Sequence, residues 1–284
     1  MKILYIHQYF KTPEEGGSIR SYYLAKGLVD AGHDVTMITT HNSAYDVKTV
    51  DGISVHYLPI KYDNSFGFLE RIRAFWFFVK KARIEAKKLP KQDLAYVMTT
   101  PLTTGFIATY LKRELNLPYY FEVGDLWPEA PIQMGVIQNK WLKKWLYKLE
   151  KRFYFEAEKV IALSPAIRNY VEKVSPHTKV YVIPNMADCS FFEAEYSVGD
   201  FSEKNTFQIS YCGAMGKANH LEFLINAAKQ CKEEQLPVHF NIIGYGSEMK
   251  RLKSISKRLK NVSFYPHSSK QCVKNILSKS DAVY

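Results

Sequence analysis

Cysteine is scarce in this sequence, and the cysteines present form no recognisable framework. Cys189, Cys212, Cys231 and Cys272 include no CxxC pair and have no companion histidine at zinc-binding spacing. The sequence therefore predicts neither a disulfide network nor a metal site. It fits a reducing, cytoplasmic environment.

Long apolar runs are missing as well. No stretch approaches the roughly 20 apolar residues that a membrane-spanning helix needs. The N-terminus, MKILYIHQYF, is too polar after Ile6 to be the apolar core of a signal peptide, so we interpret it as a first strand. We expect no membrane span, which leaves open a contact with a membrane surface.

Two nucleotide-binding fingerprints are absent too. Neither GxGxxG between strand and helix nor GxxxxGK[ST] occurs in the sequence. These absences disfavour a nucleotide-dependent oxidoreductase or epimerase. We also find no sequence repeat and no low-complexity tract.

The chain has an ordinary globular composition and an unusual charge. It has 284 residues, of which 46% are hydrophobic, enough for one large or two medium domains. The formal net charge of +11 indicates an anionic partner, which could be a nucleic acid, an acidic lipid or a phosphorylated substrate. Because the basic residues spread over many helices rather than one stripe, we expect no nucleic-acid binding.

Short apolar runs alternate with helical periodicity along most of the chain. This alternation predicts an α/β fold with two doubly wound, Rossmann-like parallel sheets, the second of them incomplete. A first domain is predicted over residues 1–187 and a partial second domain over residues 206–284. The polar stretch 188–205 between them is predicted to be a linker.

Glycine turns follow three predicted strands, and a helix N-terminus after such a turn favours phosphate binding. Any one of them is explained equally well as a tight turn. Because they are split across two domains, we expect them to converge on a cleft between the domains. The turns are Gly16-Gly17, Gly213 with Gly216, which Lys217 follows, and Gly244-Tyr245-Gly246.

The loop GDLWPE ends another predicted strand and carries the best candidate carboxylates, Asp125 and Glu129. Such a carboxylate can act as a base, orient a hydroxyl or stabilise positive charge. Equally, Asp125 could cap the next helical turn. We interpret His7, Glu122 and His220 as structural groups more than as catalysts.

The stretch Phe66 to Lys88 predicts a helix rich in aromatic and basic residues. It fits a core helix with a solvated basic flank. It also fits an interfacial helix on an anionic membrane. The candidate membrane contacts are Phe68, Arg71, Phe75, Trp76, Lys80 and Lys81.

Several segments together resemble glycosyltransferase family 4, and more narrowly its bacterial amino-sugar transferases of O-antigen and capsule assembly. They are HQYFKTPEEGGSIRSYYLAKGLVDAGHDVTMIT, GDLWPEAP, VIALSPAIRNYV, VYVIPNM, YCGAMGKANHLEFLINAA, FNIIGYGSEMKRLK and NVSFYP. The resemblance implies a retaining enzyme of GT-B type, with an acceptor-side first domain and a nucleotide-sugar-binding second domain that face each other. It also implies no cofactor and no divalent metal, with the UDP-sugar as substrate.

The resemblance further implies roles for single residues. Asp125, with Glu129 in the same loop, would lie near the acceptor and the anomeric carbon. The residues expected to bind the donor are Gly16, Gly17, Asn185, Gly213, Gly216, Lys217, His220, Gly244 and Gly246.

The sequence departs from the family pattern in two ways. Many relatives have Arg after the glycine equivalent to Gly213 and Lys-Gly before the helix, whereas this chain has Ala214 and Asn219-His220. A pair of spaced glutamates that grips the donor should lie just beyond Tyr284. We therefore expect a truncated form of a longer enzyme that binds donor poorly.

The sequence thus predicts transfer of an N-acetylated or deoxy amino hexose from a UDP-sugar to a lipid-linked saccharide, in bacterial surface polysaccharide synthesis. The protein would be cytoplasmic and peripheral on the inner face of the plasma membrane, with an anionic membrane surface as a partner. The alternative is an inactive membrane-surface or interaction module of the same fold.

Overall fold

The computed structural model describes residues 1–15, 19–63, 66–186, 188–193, 206–266 and 269–284, with the side chains of Phe68, Ser190 and Ala218 excepted. The chain divides into two compact units. The helices and strands of unit 1 come from residues up to Met186, and those of unit 2 from residue 187 onward.

Unit 1 contains eight strands and six helices within its described residues. Its strands are β1 Lys2–Ile6, β2 Asp34–His41, β3 Asp46–Val50, β4 Ile53–Pro59, β5 Leu94–Met98, β6 Tyr119–Val123, β7 Lys159–Ala162 and β8 Val180–Val182. Its helices are α1 Arg20–Asp30, α2 Phe68–Lys88, α3 Thr104–Leu115, α4 Glu129–Gln133, α5 Lys140–Glu156 and α6 Pro165–Val174.

The sheet of unit 1 has the order β3-β4-β2-β1-β5-β6-β7-β8 and is parallel except for β3. Successive residues of β1 point to opposite faces, as the pleat of a strand requires. Tyr5 therefore joins the core beneath α1, whereas Leu4 and Ile6 join the larger core beneath α2, α3 and α5. Because β1 lies between β2 and β5, the winding direction reverses there, where α/β sheets place ligands.

Unit 2 repeats the same architecture on a smaller scale. Its strands are β9 Phe207–Cys212, β10 Val238–Ile243, β11 Val262–Tyr265 and β12 Ala282–Val283, and its helices are α7 Cys189–Phe192, α8 Glu222–Glu233, α9 Met249–Ile255 and α10 Lys270–Leu277. The four strands are all parallel, in the order β11-β10-β9-β12. The winding direction thus reverses between β9 and β12.

The predicted alternation of strands and helices is confirmed, and three short elements were missed. Strand β3 was not predicted because its side chains are mostly exposed and polar, so it has no apolar run. The Asp51-Gly52 pair could have found it, since both residues have positive φ in the turn to β4, as a tight hairpin requires. Helices α4 and α7 are too short to show a period. Of the predicted linker 188–205, only residues 188–193 lie within the described part.

Candidate functional site

The loop that follows β9 lies at the point where the winding of unit 2 reverses. Gly213 leaves the strand, and a 3₁₀ turn over Lys217–Asn219 leads into α8. Helix α8 begins at Glu222, and its N-cap residue, Leu221, makes no side-chain cap. The Phe223 N–H donates to the His220 carbonyl at 2.9 Å. No capping side chain among the described residues covers the other N–H groups of the first turn, which suit an anion. This is the position that sequence reasoning gave to a phosphate.

The two glycine loops of unit 2 lock together through their backbones. A Cβ atom on Gly244, whose φ is +136°, would lie 1.9 Å from the carbonyl oxygen of Gly213. A Cβ on Gly246 would lie 2.5 Å from the carbonyl oxygen of Met215, and the Met215 N–H donates to the Tyr245 carbonyl at 3.0 Å. Gly244 and Gly246 are therefore required by close backbone contact, whatever else they do.

Tyr211 supports the β9 loop from below. Its hydroxyl donates to the Ala214 carbonyl at 2.7 Å and accepts from the Asn219 side chain at 2.6 Å. The chain then passes through His220 with φ of +48°, a left-handed conformation that favours glycine. His220 thus occupies the backbone geometry that suits the glycine of many relatives.

A cavity of about 470 Å³ opens beside this loop. It is lined by Gly216, Lys217, His220, Leu221, Glu222, Glu248, Arg251 and Leu252. Lys217 and His220 are exposed, and a Cβ atom on Gly216 would make only an ordinary van der Waals contact, 3.8 Å from the side-chain oxygen of Asn219. The cavity therefore brings together Gly216, Lys217 and His220 from the predicted donor-binding set.

The two carboxylates that line this cavity, Glu222 and Glu248, equal in number its two cations, Lys217 and Arg251. Arg251 donates to Glu222 at 2.9 Å and to Glu248 at 2.7 Å. These hydrogen bonds to Glu248 and Glu222 raise the pKa of Arg251. Lys217 and the N–H groups of α8 are consequently the main attraction for an anion.

In unit 1 the acidic loop after β6 holds its two carboxylates differently. Asp125 is exposed and accepts a hydrogen bond from the Thr100 hydroxyl at 3.3 Å. Glu129 accepts from the Gln133 amide at 2.6 Å and from the Tyr147 hydroxyl at 2.5 Å, and these bonds lower its pKa. Asp125 does not cap α4, whose N-cap is Pro128 with no side-chain bond.

Thr100 is a site residue that sequence reasoning missed. It follows β5 beside the reversal point of unit 1, and its φ of +87° is unusual for a β-branched residue. Its neighbour Asp125 follows β6, so the contact depends on the pairing of the two strands. No signal in the sequence points to that pairing.

A buried ion pair ties the centre of unit 1 to its last strand. The Arg20 guanidinium binds both carboxylate oxygens of Glu122, at 3.0 and 3.2 Å, and both side chains are at most 5% exposed. Tyr96 also donates to Glu122. Arg20 further donates to the carbonyls of Ile183 and Pro184 at 2.9 and 2.6 Å.

The other predicted residues of unit 1 are placed as follows. His7 is buried and bonds Ser21 at 2.7 Å, and burial lowers its pKa to about 3, so it is a neutral structural group. Asn185 is exposed after β8. Gly16 and Gly17 lie outside the described residues.

The candidate membrane contacts on α2 are only partly available. Phe75 stacks on Tyr62 and Trp76 packs on Phe106, whereas Arg71 and Lys81 donate to backbone carbonyls. Lys80 is exposed and Trp76 is 45% exposed. The side chain of Phe68 is not described.

The described ranges contain neither a metal-binding cluster nor a membrane-spanning helix. No group of three or more His, Cys, Asp or Glu side chains arranged to hold a metal occurs there. No helix within those ranges combines the length and the apolar character needed to cross a bilayer.

Two sheets, one parallel throughout and the other parallel except for β3, with loops at their reversal points, define a Rossmann-like α/β protein. The model of the glycosyl transferase 4-like domain matches residues 15–186. The chain therefore belongs to this glycosyltransferase family. A search of curated proteins found no match.

Solved structures confirm the predicted fold class, which is that of GT-B glycosyltransferases. Sucrose-phosphate synthase from Thermosynechococcus elongatus aligns with a TM-score of 0.76 at 17% identity, over 99% of this chain and 74% of its own. WaaG, a glycosyltransferase involved in lipopolysaccharide biosynthesis, aligns with a TM-score of 0.65 at 14% identity, over 100% of this chain and 74% of its own. UDP-GlcNAc 2-epimerase from Neisseria meningitidis, bound to UDP-GlcNAc, aligns with a TM-score of 0.59 at 15% identity, over 100% of this chain and 77% of its own.

Proposed function

We propose that this protein is a retaining glycosyltransferase that moves an N-acetylated or deoxy amino hexose from a UDP-sugar to a lipid-linked saccharide. The acceptor would be an undecaprenyl-diphosphate saccharide of bacterial surface polysaccharide synthesis, at the cytoplasmic leaflet. The observation that carries this proposal is the cavity at the β9 loop, in a chain of the glycosyl transferase 4-like family.

On the donor side, the β9 loop would hold the diphosphate. Lys217, His220 and the first N–H groups of α8 face one cavity, and Gly216 leaves room for a close approach of phosphate oxygens. The leaving UDP gains negative charge in the transition state. The lysine and the helix N-terminus would stabilise that charge, so the proposed chemistry needs no divalent metal.

On the acceptor side, Asp125 would contact the reacting groups. It is exposed at the carboxyl edge of the sheet, and its one described bond, to Thr100, is long. It can orient an acceptor hydroxyl or stabilise positive charge at the anomeric carbon. Glu129 has both oxygens engaged by Gln133 and Tyr147, so it would act by holding the loop in place.

The proposal is tested by incubating the full chain with a panel of labelled UDP-sugars and undecaprenyl-diphosphate-linked saccharides. We expect release of UDP and a labelled lipid product. Asp125→Asn should lower kcat by roughly 10²- to 10⁴-fold and leave UDP binding unchanged. Lys217→Ala should weaken UDP binding by roughly 10- to 100-fold.

Lys250→Ala serves as the control, because Lys250 is an exposed lysine of unit 2 outside the cavity. Absence of turnover across a broad donor and acceptor panel would contradict the proposal. Isomerised UDP-sugar without transfer would point instead to epimerase chemistry.

A second candidate is a membrane-surface module that has lost donor binding. The observation that favours it is the pairing of Arg251 with Glu222 and Glu248, which reduces the positive charge of the cavity. Binding to anionic vesicles without measurable UDP-sugar binding would select this candidate.

A further inference from the structure

Helix α5 turns large aromatic side chains outward. Trp141 is 81% exposed, Phe155 is 66% exposed and Trp145 is 47% exposed. Positions 141, 145, 148, 152 and 155 are three or four residues apart, so they share one face of the helix. The opposite face, with Leu149 and Phe153, packs into the core of unit 1. The outward aromatics therefore form a surface distinct from the core.

The loop before α5 and the first turn of the helix also expose aliphatic side chains. Met134 is 53% exposed and Val136 is 49% exposed, and Leu142 in the first turn of α5 is 42% exposed. The Asn139 side chain accepts bonds from the N–H groups of Trp141 and Leu142, which fixes the start of the helix. The apolar patch is thus carried on a well-formed helix N-terminus.

Lysines surround the patch. Six of the 17 residues of α5 are Lys or Arg. Of its two glutamates, Glu150 is buried, and Glu156 is bonded to Arg113 and to Arg152, which is one of those six. The exposed lysines on the helix are Lys140, Lys144, Lys148 and Lys151.

We propose that this α5 surface docks onto the headgroup region of an anionic lipid bilayer. Tryptophan favours the boundary between headgroups and acyl chains, and lysines beside it are attracted to anionic lipid. A nucleic acid would leave the aliphatic Met134, Val136 and Leu142 without a matching partner. A second copy of the chain would bring the same lysines against each other.

The position of α5 gives this docking a role in the proposed transfer reaction. Tyr147 on α5 donates to Glu129 on α4, at the end of the loop that carries Asp125. Docking of α5 would therefore hold the acceptor loop near the bilayer that contains a lipid-linked acceptor. Only this role rests on the proposed function, because vesicle binding can be measured with no donor and no transfer.

The first test is co-sedimentation of the full chain with phosphatidylcholine vesicles, with and without about a third of phosphatidylglycerol. We expect binding that requires the anionic lipid. Trp141→Ser with Trp145→Ser should weaken it by roughly tenfold or more. Lys144→Ala with Lys148→Ala should weaken it by about 30-fold.

Two control variants match these changes at other places. Phe77→Ser alters an aromatic residue on α2 that is 45% exposed, and Lys250→Ala with Lys257→Ala removes two exposed lysines from unit 2. We expect both controls to bind like the unaltered chain. Circular dichroism checks that each variant folds.

Tryptophan fluorescence provides a second readout. Anionic vesicles should shift the emission to shorter wavelength, and brominated acyl chains should quench it, with both effects lost in Trp141→Phe with Trp145→Phe. The proposal is overturned if these effects persist in that variant, or if only Phe77→Ser lowers binding. It is also overturned if the α5 variants abolish self-association or RNA binding while the chain never binds vesicles.

Discussion

Two buried glutamates of unit 1 show how partners decide the charge of a residue. Burial alone would raise the pKa of Glu85, yet hydrogen bonds from Lys88, Tyr45 and His56 lower it to about 2. Burial dominates at Glu150, whose bonds come from the uncharged hydroxyls of Tyr154 and Tyr170, and raises its pKa to about 7. Glu85 therefore favours the folded state at neutral pH, and Glu150 opposes it.

The first prediction concerns Glu150. Its ordinary pKa is 4.5 and its folded pKa is about 7, so its contribution to stability is complete below pH 4.5 and is lost as the pH rises through 7. Glu150→Gln removes this loss. At pH 8 the free energy of unfolding of the variant should exceed that of the unaltered protein by up to about 3 kcal/mol. At pH 4.5 the two free energies should differ little.

Urea unfolding at several pH values measures the difference. Glu114→Gln, a change at an exposed glutamate of unit 1, is the matched control and should leave the pH profile unchanged. Equal pH slopes for Glu150→Gln and the unaltered protein would contradict the assignment.

At the scale of elements, the glycine loops of unit 2 contain one glycine that the fold requires, Gly244, and one that the fold does not require, Gly216. Gly244→Ala places a Cβ 1.9 Å from the Gly213 carbonyl oxygen and should cost about 2–4 kcal/mol of stability. A Cβ on Gly216 would make only an ordinary van der Waals contact and its φ is −102°, so Gly216→Ala should change stability by less than about 0.5 kcal/mol.

Binding of UDP by the same two variants completes this prediction. If phosphate oxygens approach the backbone at Gly216, then Gly216→Ala weakens UDP binding although the protein stays stable. Gly27→Ala in α1, where nothing lies within 4 Å, should stabilise the protein by up to about 1 kcal/mol. Unchanged UDP affinity in Gly216→Ala would remove that glycine from the donor site.

The sequence predicted those elements that are buried on both faces. A strand such as Leu94–Met98 is a continuous apolar run, because helices cover parallel sheets on both sides. Edge strand β3 has exposed side chains and no such run. Buried strands were therefore predictable from their apolar residues. For the exposed strand β3, only the residues of its turn indicated a hairpin.

The sequence was sufficient to predict which loops form the candidate site, but not which side chains contact one another there. Loops at the carboxyl ends of strands were recognisable from their glycines and acidic residues. The hydroxyl of Tyr211 under the β9 loop and the bond from Thr100 to Asp125 arise only from folding and strand pairing. The bond from Arg251 to Glu222 likewise joins two residues that are 29 positions apart in the sequence.

For the whole molecule, the two units have separate hydrophobic cores. The cores of unit 1 include Phe78 and Phe153, and the core of unit 2 includes Phe240 and Ile242, with no residue in common. Calorimetry should therefore resolve two unfolding transitions. UDP at about 100 times its Kd should stabilise the transition of unit 2 by about 2.7 kcal/mol and leave the other in place.

Assignment of the transitions uses the Glu150→Gln variant, which should shift only the transition of unit 1 at pH 8. A single transition that UDP and Glu150→Gln both move would show that the units unfold together.

The contacts of Arg20 also constrain the order in which unit 1 is completed during synthesis. Its ion-pair partner Glu122 lies 102 residues later in the chain, and the Pro184 carbonyl lies 164 residues later. Contacts of such separation close late, because the loop entropy must be lost before they form. Until β6 and β8 leave the ribosome, the guanidinium has only water as a partner and cannot be buried without a large cost. Unit 1 therefore completes its fold only after nearly all of it has been translated.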